Sequence, residues 1–434
     1  MSETSARRAD SGPVTEGERE DAYQAEVRHY LWRNYAAHLS HGLLGQTGFR
    51  LINAPTFIPS YLHLLSGSDM VVGLARGLQA FGMFLSPILS ATLIEHRRRV
   101  LPVGFVVGTL MRVQVLGIAL AGFFLPGDWN LRAVCLFLGL FGFFLGMQGV
   151  VFNYLMSKVI PVERRGRLMG LRNTLAGFTA AAVAGYAGGL VDTEALGNGY
   201  AATFLLSFGL TAAGLAMLTL VREPEPPEVR EPGRLRDRLR DLPELLRSDR
   251  AFTLYFLCRA LATMGRMAVP FYVLYAGRRI EMSGEVLGQL TQVFILAWTT
   301  TNLLWGFIAD RGGFRRVFLS ALVLWIGSTV VLMDAQSYGM MLAVFTGLGA
   351  GLGGFQMSAQ NLVLEFGRRE DLPMRIAVAN SASELVGAIG PVVGGLLAAT
   401  AGYPAVFWTA ISFKAAAVVI VAWRVPDPRH ADSA

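Results

Sequence analysis

The stretch GLLGQTGFRLINAP, residues 42–55, sets an arginine inside a run otherwise apolar enough to cross a lipid bilayer. A guanidinium at the centre of a membrane helix costs roughly 2.5–3.5 kcal/mol on insertion scales, so it persists where it faces a cavity, a partner or a ligand. Gln46 and Asn53 fall on the helix face of Arg50. A second arginine, Arg266 in ALATMGRMAVP, lies 216 positions further on, with Arg259 two turns before it. Gln148 and Gln356, 208 positions apart, stand in two further apolar runs. Forked donors with few acceptors suit a planar or tetrahedral oxyanion, because a guanidinium grips carboxylate or phosphate through two parallel hydrogen bonds. An anion between Arg50 and Arg266 would also offset their mutual repulsion.

Glu384 is the one acidic residue deep in an apolar run. Burial favours its protonated form and a nearby arginine its ionised form, which suits a proton carrier. The alternative is an internal counter-charge for Arg259 or Arg266, which would make those arginines structural. Arg76 and Arg112 read as structural or vestibular, and Lys414 as snorkelling or paired. His38 and His41 are expected to pack near the inner end of the first crossing, with proton transfer as the alternative. The six histidines and two cysteines show no spacing for a nucleophile with its base or for a metal, and no phosphate loop is present. An enzyme is therefore not expected, nor any cofactor or metal. Cys135 and Cys258 read as small buried hydrophobes.

These residues need helices to hold them. Of 434 residues 53% are hydrophobic and only 16% charged, with 49 glycines. A soluble chain carries about 25% charged residues, so this is a membrane composition. Twelve runs of spanning length recur, at about 34–60, 70–94, 100–124, 131–157, 166–191, 200–221, 251–277, 285–308, 316–334, 338–363, 374–400 and 403–424. The polar first residues lack the apolar core of a cleaved signal, and the tail is expected to be without regular structure. The formal charge of +7 does not point to nucleic acid, because EHRRR (95–99), ERRGR (163–167), GRLRDRLRD (233–241), DRGGFRR (310–316) and GRRED (367–371) all fall in alternate connections. The excess of arginine there makes those connections, and both termini, cytoplasmic. Arg278 and Arg279 are the exception on the other side.

Residues 222–250 form the only long polar interior segment, rich in proline and charge at its start and with a surface helix expected near its end. It divides two sets of six crossings, which repeat one another. GLFGFFLGMQGVVFN parallels GLGAGLGGFQMSAQN, aligning Gly139 with Gly347, Gln148 with Gln356 and Asn153 with Asn361 at an offset of 208. ATLIEHRRR parallels GFIADRGGFRR, aligning Ala91 with Gly306 and Glu95 with Asp310 at 215. Asn173 with Asn380, and Gly188-Gly189 with Gly394-Gly395, give a looser third pairing. A parallel repeat of this kind places a substrate site between the halves near mid-membrane.

GFIADRGGFRR resembles the signature loop of the Major Facilitator Superfamily: Gly306, three residues, Asp310-Arg311, the spacer Gly313 and the basic Arg315. Its first-half copy departs, with Glu95 for the aspartate, His96 for the arginine and no following glycine. The resemblance implies an all-α integral membrane fold of two pseudo-symmetric six-helix bundles that rock about a central site. It also implies that the first, fourth, seventh and tenth helices line the cavity. Within that superfamily the paired Arg50 and Arg266 resemble the arginines of the organophosphate:phosphate antiporters. GAIGPVVGGLL (387–397) resembles instead the Gly-Pro pattern of the fifth helix of drug:proton antiporters, although it stands here in the eleventh, where a packing seam explains it equally.

The expected organisation is a cytoplasmic tail (1–33), a first bundle (34–221), a cytoplasmic linker (222–250), a second bundle (251–424) and a cytoplasmic tail (425–434). The expected function is secondary active transport of a small anionic solute across the cytoplasmic inner membrane, as symporter or antiporter, with a proton or a counter-substrate as the second partner. The protein is expected to be a monomer surrounded by lipid. Proton-coupled efflux of amphipathic compounds is one alternative reading, and a non-transporting sensor or assembly factor on the same fold is another.

Overall fold

The computed structural model describes residues 16–94, 96–226, 250–365 and 372–424. Every regular element among them is helical. The first crossing is α2 (Leu31–Asn53) continued by α3 (Phe57–Ser66). The two part at Pro55, which lacks the amide needed to extend the ladder. The seventh is α9 (Arg250–Met264), a tight 3-10 turn (Gly265–Ala268) and α10 (Phe271–Ala276), parted at Pro270. Pro55 and Pro270 are 215 positions apart, so both halves break their first helix at the same place in the repeat.

The other crossings of the first half are α4 (Asp69–Ile94), α5 (Leu101–Phe124), α6 (Gly127–Val159), α7 (Val162–Asp192) and α8 (Gly199–Met217). In the second half α11 (Gly284–Asp334) carries the eighth and ninth crossings, joined at a sharp corner, followed by α12 (Tyr338–Asn361), α13 (Leu372–Ala401) and α14 (Tyr403–Arg424). The corner inside α11 is Gly313, whose φ of 78° and ψ of 159° suit only a residue without a side chain. Connections alternate between two ends of the bundle. One, the linker end, carries residues 222–226; the other, the loop end, carries 193–198, 277–283 and 335–337.

Each half packs as its own bundle, and the two meet along two seams, α4 against α13 and α7 against α11. Glycines let the backbones touch there. A side chain at Gly188 would strike the carbonyl of Gly284, and one at Gly73 the carbonyl of Pro391. The glycines of GAIGPVVGGLL serve packing on two sides: Gly395 meets Asp69 and Gly73 across the seam, and Gly394 meets Met267 and Phe271 within the second bundle. Outward faces remain apolar, with Leu78, Phe81, Leu85 and Leu89 on α4 and Leu303, Leu304 and Phe307 on α11 exposed, as lipid contact requires.

The tail departs from expectation, because it is helical from Glu16 as α1 (Glu16–His29). Val27 is buried, and the Tyr23 hydroxyl donates to the carbonyl of Lys158 at 2.9 Å. Burial above all pushes the Tyr23 phenol up to about 12, so it stays a donor. The start of the linker is fixed as well. Asn34 exchanges two hydrogen bonds with the backbone of Arg222, at 2.8 and 2.9 Å. Glu223 accepts from the amides of Val100 and Leu101 at the start of α5 and pairs with Lys158 at 2.5 Å. Removing one partner of so buried a pair costs about 3–5 kcal/mol. The surface helix expected later in the linker lies outside the described residues.

Gly188→Val should force α7 away from α11 and lower the thermal unfolding temperature, the strain being about 1–3 kcal/mol. Gly189→Ala, where a side chain meets nothing within 4 Å, should leave it unchanged or raise it. Equal melting temperatures for the two variants would show that the seam is not tightly packed.

Candidate functional site

Three glycines at a spacing of three make one face of α2 flat. A side chain at Gly42 would overlap the Arg172 side chain of α7, one at Gly45 would approach Arg112 Nη2 of α5 to 3.9 Å, and one at Gly48 would come within 2.7 Å of Ser207 and Thr211 of α8. The gap at Gly42 seats the buried Arg172 against the first helix, and the buried Arg112 lies beside Gly45 in ordinary contact. Arg172 lies over the ring of Phe152 at 4.6 Å. With its amide oxygen turned toward Arg172, Gln46 accepts from Nη2 at 2.9 Å and Nε at 3.2 Å, and donates to Asn173 Oδ1 at 3.1 Å. Arg112 is 2% exposed; its Nε donates to the Thr211 carbonyl at 2.5 Å and its Nη1 to the Gly108 carbonyl at 2.7 Å, over the ring of Phe49 at 5.3 Å. Gln148 is buried beside it, its Oε1 within 3.2 Å of where a Gly108 side chain would begin, and that oxygen has no donor. His38 is fully buried with neither ring nitrogen bonded among the described residues, while His41 Nδ1 bonds the Gly214 carbonyl at 2.9 Å.

Arg50 stands at the edge of this polar group and reaches the other half. Its Nη1 donates to Thr299 Oγ1 of α11 at 2.8 Å and its Nη2 to the Asn173 carbonyl at 3.3 Å. Arg266 lies in the 3-10 turn of the seventh crossing and is exposed, with no side-chain partner among the described residues. The tight winding there turns the residue out of the register of a continuous α-helix. Asn53 shares the helix of Arg50 but serves another helix, accepting from Gln79 at 3.0 Å, which in turn accepts from Arg76 at 2.8 Å. Gln356 is half-buried on α12 and makes no side-chain hydrogen bond among the described residues. Arg259 is buried on α9. Glu384 is half-buried on α13, and no ion pair joins it to Arg259 or Arg266 among the described residues. Cys258 is buried and Cys135 half-buried, both free.

The signature loop occupies the corner of α11. Gly306 does not admit a close helix approach in this arrangement, since a side chain there would meet nothing within 4 Å. Asp310 is exposed, Arg311 stacks on Phe307 at 3.9 Å, and Arg315 Nη2 donates to the Val421 and Ala422 carbonyls at the end of α14 at 3.1 and 2.9 Å. Gly313 is the corner itself. Glu95 lies outside the described residues.

Lys414 does not snorkel, and among the described residues it has no ion pair. It is fully buried, with Nζ donating to Thr329 Oγ1 at 3.1 Å and lying over the Trp325 ring at 4.3 Å. Arg172 is the residue the sequence hides most, because it follows the arginines at 164, 165 and 167, which read as topology signals. Its only local mark is adjacency to Asn173, one member of the repeat.

Hydrogen bonds and ion pairs between the halves run from mid-membrane to the loop end. Thr56 meets Thr291 at 2.6 Å. The Asp192 carboxylate caps α11, accepting from the amides of Gly284 at 2.6 Å and Glu285 at 2.7 Å. Asp69 accepts from the Tyr403 hydroxyl at 2.7 Å and pairs with Arg278 at 3.7 Å. The loop end is thus latched by two carboxylates of the first bundle on the second.

A two-bundle helical membrane protein, with polar groups gathered at mid-depth and a latch at one end, is a solute carrier. The sequence profile of the Major Facilitator Superfamily matches residues 43–272 and again residues 255–434, and the chain belongs to that family. No curated protein matches the sequence. Among solved structures it is similar to a D-xylose-proton symporter at 13% identity, covering 92% of this chain and 99% of that one with a TM-score of 0.71. It is similar also to the nucleoside transporter NupG, at 12% identity over 89% and 99% of the chains with a TM-score of 0.71. The partially occluded inward-open xylose transporter XylE from E. coli aligns at 13% identity over 92% and 98%, with a TM-score of 0.67. Identities this low establish the fold alone.

Asp192→Ala should release the cap on α11. Spin labels on cysteines placed at Glu194 and Gln336, in a background without Cys135 and Cys258, should then report longer and broader distances across the loop end. An unchanged distance distribution would mean that the carboxylate does not hold that end closed.

Proposed function

We propose that the protein moves a small anionic solute across the cytoplasmic membrane by alternating access, with Arg50 and Arg266 gripping the negative group between bundles 34–221 and 251–424. The observation that carries this reading is charge without counter-charge: Arg50, Arg112 and Arg172 gather around α2 and Arg266 is exposed on the facing half, with no ion pair to any of them among the described residues. Gln46, Asn53, Gln148, Gln356 and Arg259 would complete the polar lining. Hydrogen bonds and ion pairs between the halves favour the loop end, so the bundles would part at the linker end. With arginine-rich connections cytoplasmic, that is an inward-open state, and breaking or making contacts of Gly306, Asp310, Arg311, Gly313, Arg315 and Glu95 would gate it. Glu384 is the carboxyl available to carry a coupling proton.

Lysine keeps charge but loses the planar fork. Arg50→Lys and Arg266→Lys should therefore each weaken binding of an anionic ligand, found by thermal shift across carboxylates and phosphate esters, by tenfold or more (~1.4 kcal/mol). The double variant should lose little beyond either single one, because one ligand bridges both. Affinity unaffected by either change, or stabilisation by uncharged sugars and nucleosides alone, would sink the anionic reading.

Orientation has its own check. Cysteines at Ser66, Asn198 and Ser337 should react with a membrane-impermeant maleimide in intact cells, while one at Ser248 should not. The opposite pattern would put the linker outside.

A further inference from the structure

The chain has 36 arginines and only two lysines, Lys158 and Lys414, and both are buried. Lys158 is held as an ion, by Glu223 at 2.5 Å and the Arg98 carbonyl at 2.5 Å. Lys414 is not. An ammonium has three N–H donors, and among the described residues Lys414 finds one oxygen, Thr329 Oγ1. That oxygen also meets the Tyr272 hydroxyl at 2.5 Å and donates to the Trp325 carbonyl at 2.8 Å, so its acceptor capacity is spent. Tyr272 accepts in turn from Trp325 Nε1 at 3.2 Å. The ring face of Trp325 supplies the rest of the surroundings, and it offsets only part of the cost of a fully enclosed charge.

The first half shows what a permanent charge requires at the equivalent place. Arg112, on the third crossing, reaches the sixth at Thr211; Lys414, on the twelfth, reaches the ninth at Thr329. Thr329 is 217 positions beyond Arg112 and Lys414 is 203 beyond Thr211, offsets close to those of the repeat. Each bundle thus sets one fully enclosed base between its third and sixth helices. Arg112 cannot release its proton and is given two backbone carbonyls at 2.5 and 2.7 Å, its Nη2 alone lacking an acceptor among the described residues. Lys414 can release one and has a single shared hydroxyl. Its stem also packs on Gly265, where a side chain would meet Lys414 Cγ at 2.6 Å, and Gly265 is followed by Arg266. Of the titratable groups on the elements packed around it, Tyr272 on α10 shares its network, while Cys258 and Arg259 on α9, Arg266 in the 3-10 turn, Tyr275 on α10, Glu384 on α13 and Tyr403 on its own helix make no hydrogen bond or ion pair with it among the described residues.

We propose that Lys414 is a proton-binding site of the transport cycle, empty while enclosed as here and filled when movement of the Gly265–Ala268 turn admits water. The amine takes its proton from hydronium in the open cavity and returns it to water on the other side, and no other group changes. By linkage, a solute held at Arg266 that shifts the turn also shifts the proton occupancy of Lys414, and the reverse. The proposal rests on the chain being a carrier, not on the solute being anionic.

Having two lysines makes the test direct. In protein labelled with 13Cε-lysine, the Lys414 resonance, assigned by its loss in Lys414→Met, should move with pH over the range in which the protein stays folded, while that of Lys158 stays fixed. Two resonances fixed at the ammonium position would overturn the proposal. In proteoliposomes, uptake driven by a pH gradient should be lost in Lys414→Met and in Lys414→Arg, while solute exchange persists. If Lys414→Met keeps gradient-driven uptake and Glu384→Gln abolishes it, the coupling proton sits on Glu384 and the proposal fails. The lysine signal needs no solute, so it is independent of the arginine variants that test the solute's charge.

Discussion

A cation inside a bilayer must be solvated by the protein itself, because hydrocarbon offers it nothing. Much of this fold follows from that requirement. Arg172 can approach the first helix only because Gly42 lacks a side chain, and Arg112 and Arg172 each find oxygens on a neighbouring helix and an aromatic ring beneath the guanidinium. The glycines of α2 are thus part of the charge-bearing machinery as much as of the packing. The partners found are carbonyls and amides, which leave the group net positive. That residual charge is what the proposed anionic solute would meet.

The two bundles divide their polar chemistry unequally. In the first, arginines and amides lie on or against α2, and Arg50 of α2 itself reaches Thr299 across the interface. In the second, the enclosed group is a lysine among Thr329, Tyr272 and Trp325. Pseudo-symmetry therefore preserves helix placement and the position of an enclosed base while changing which base it is. A permanent charge on one side and a removable one on the other gives the two halves different responses to the same change in hydration.

The sequence makes the architecture legible, because twelve apolar runs and a repeat at offsets of 206–216 are one-dimensional signals. The depth of Arg50 was legible for the same reason. Partnerships were not: Arg50 and Thr299 are 249 positions apart, and no local spacing announces their hydrogen bond. Arg172 was masked by topology arginines beside it, and Lys414 by the expectation that a lysine in an apolar helix reaches an interface or a carboxylate. Pro55 and Pro270 carried a readable message, the break of both first helices, whose consequence for Arg266 depends on a turn wound too tightly for a regular helical projection. The helical tail was missed because α1 is polar and held by contacts with distant residues such as Lys158.

The seam between α4 and α13 has a consequence for how the chain is made. Gly73 and Gly395 touch although about 320 residues separate them. At a synthesis rate of roughly 5–20 residues per second, α4 waits about a quarter of a minute to a minute for the helix that covers its glycine face. During that interval the first bundle already stands in the membrane with a smooth, backbone-exposing groove open to lipid or to an insertase. Nascent chains should accordingly be most vulnerable to mispairing and to membrane proteases after the sixth helix emerges and before the eleventh, a window set by the order of genes' codons and not by the strength of any finished contact.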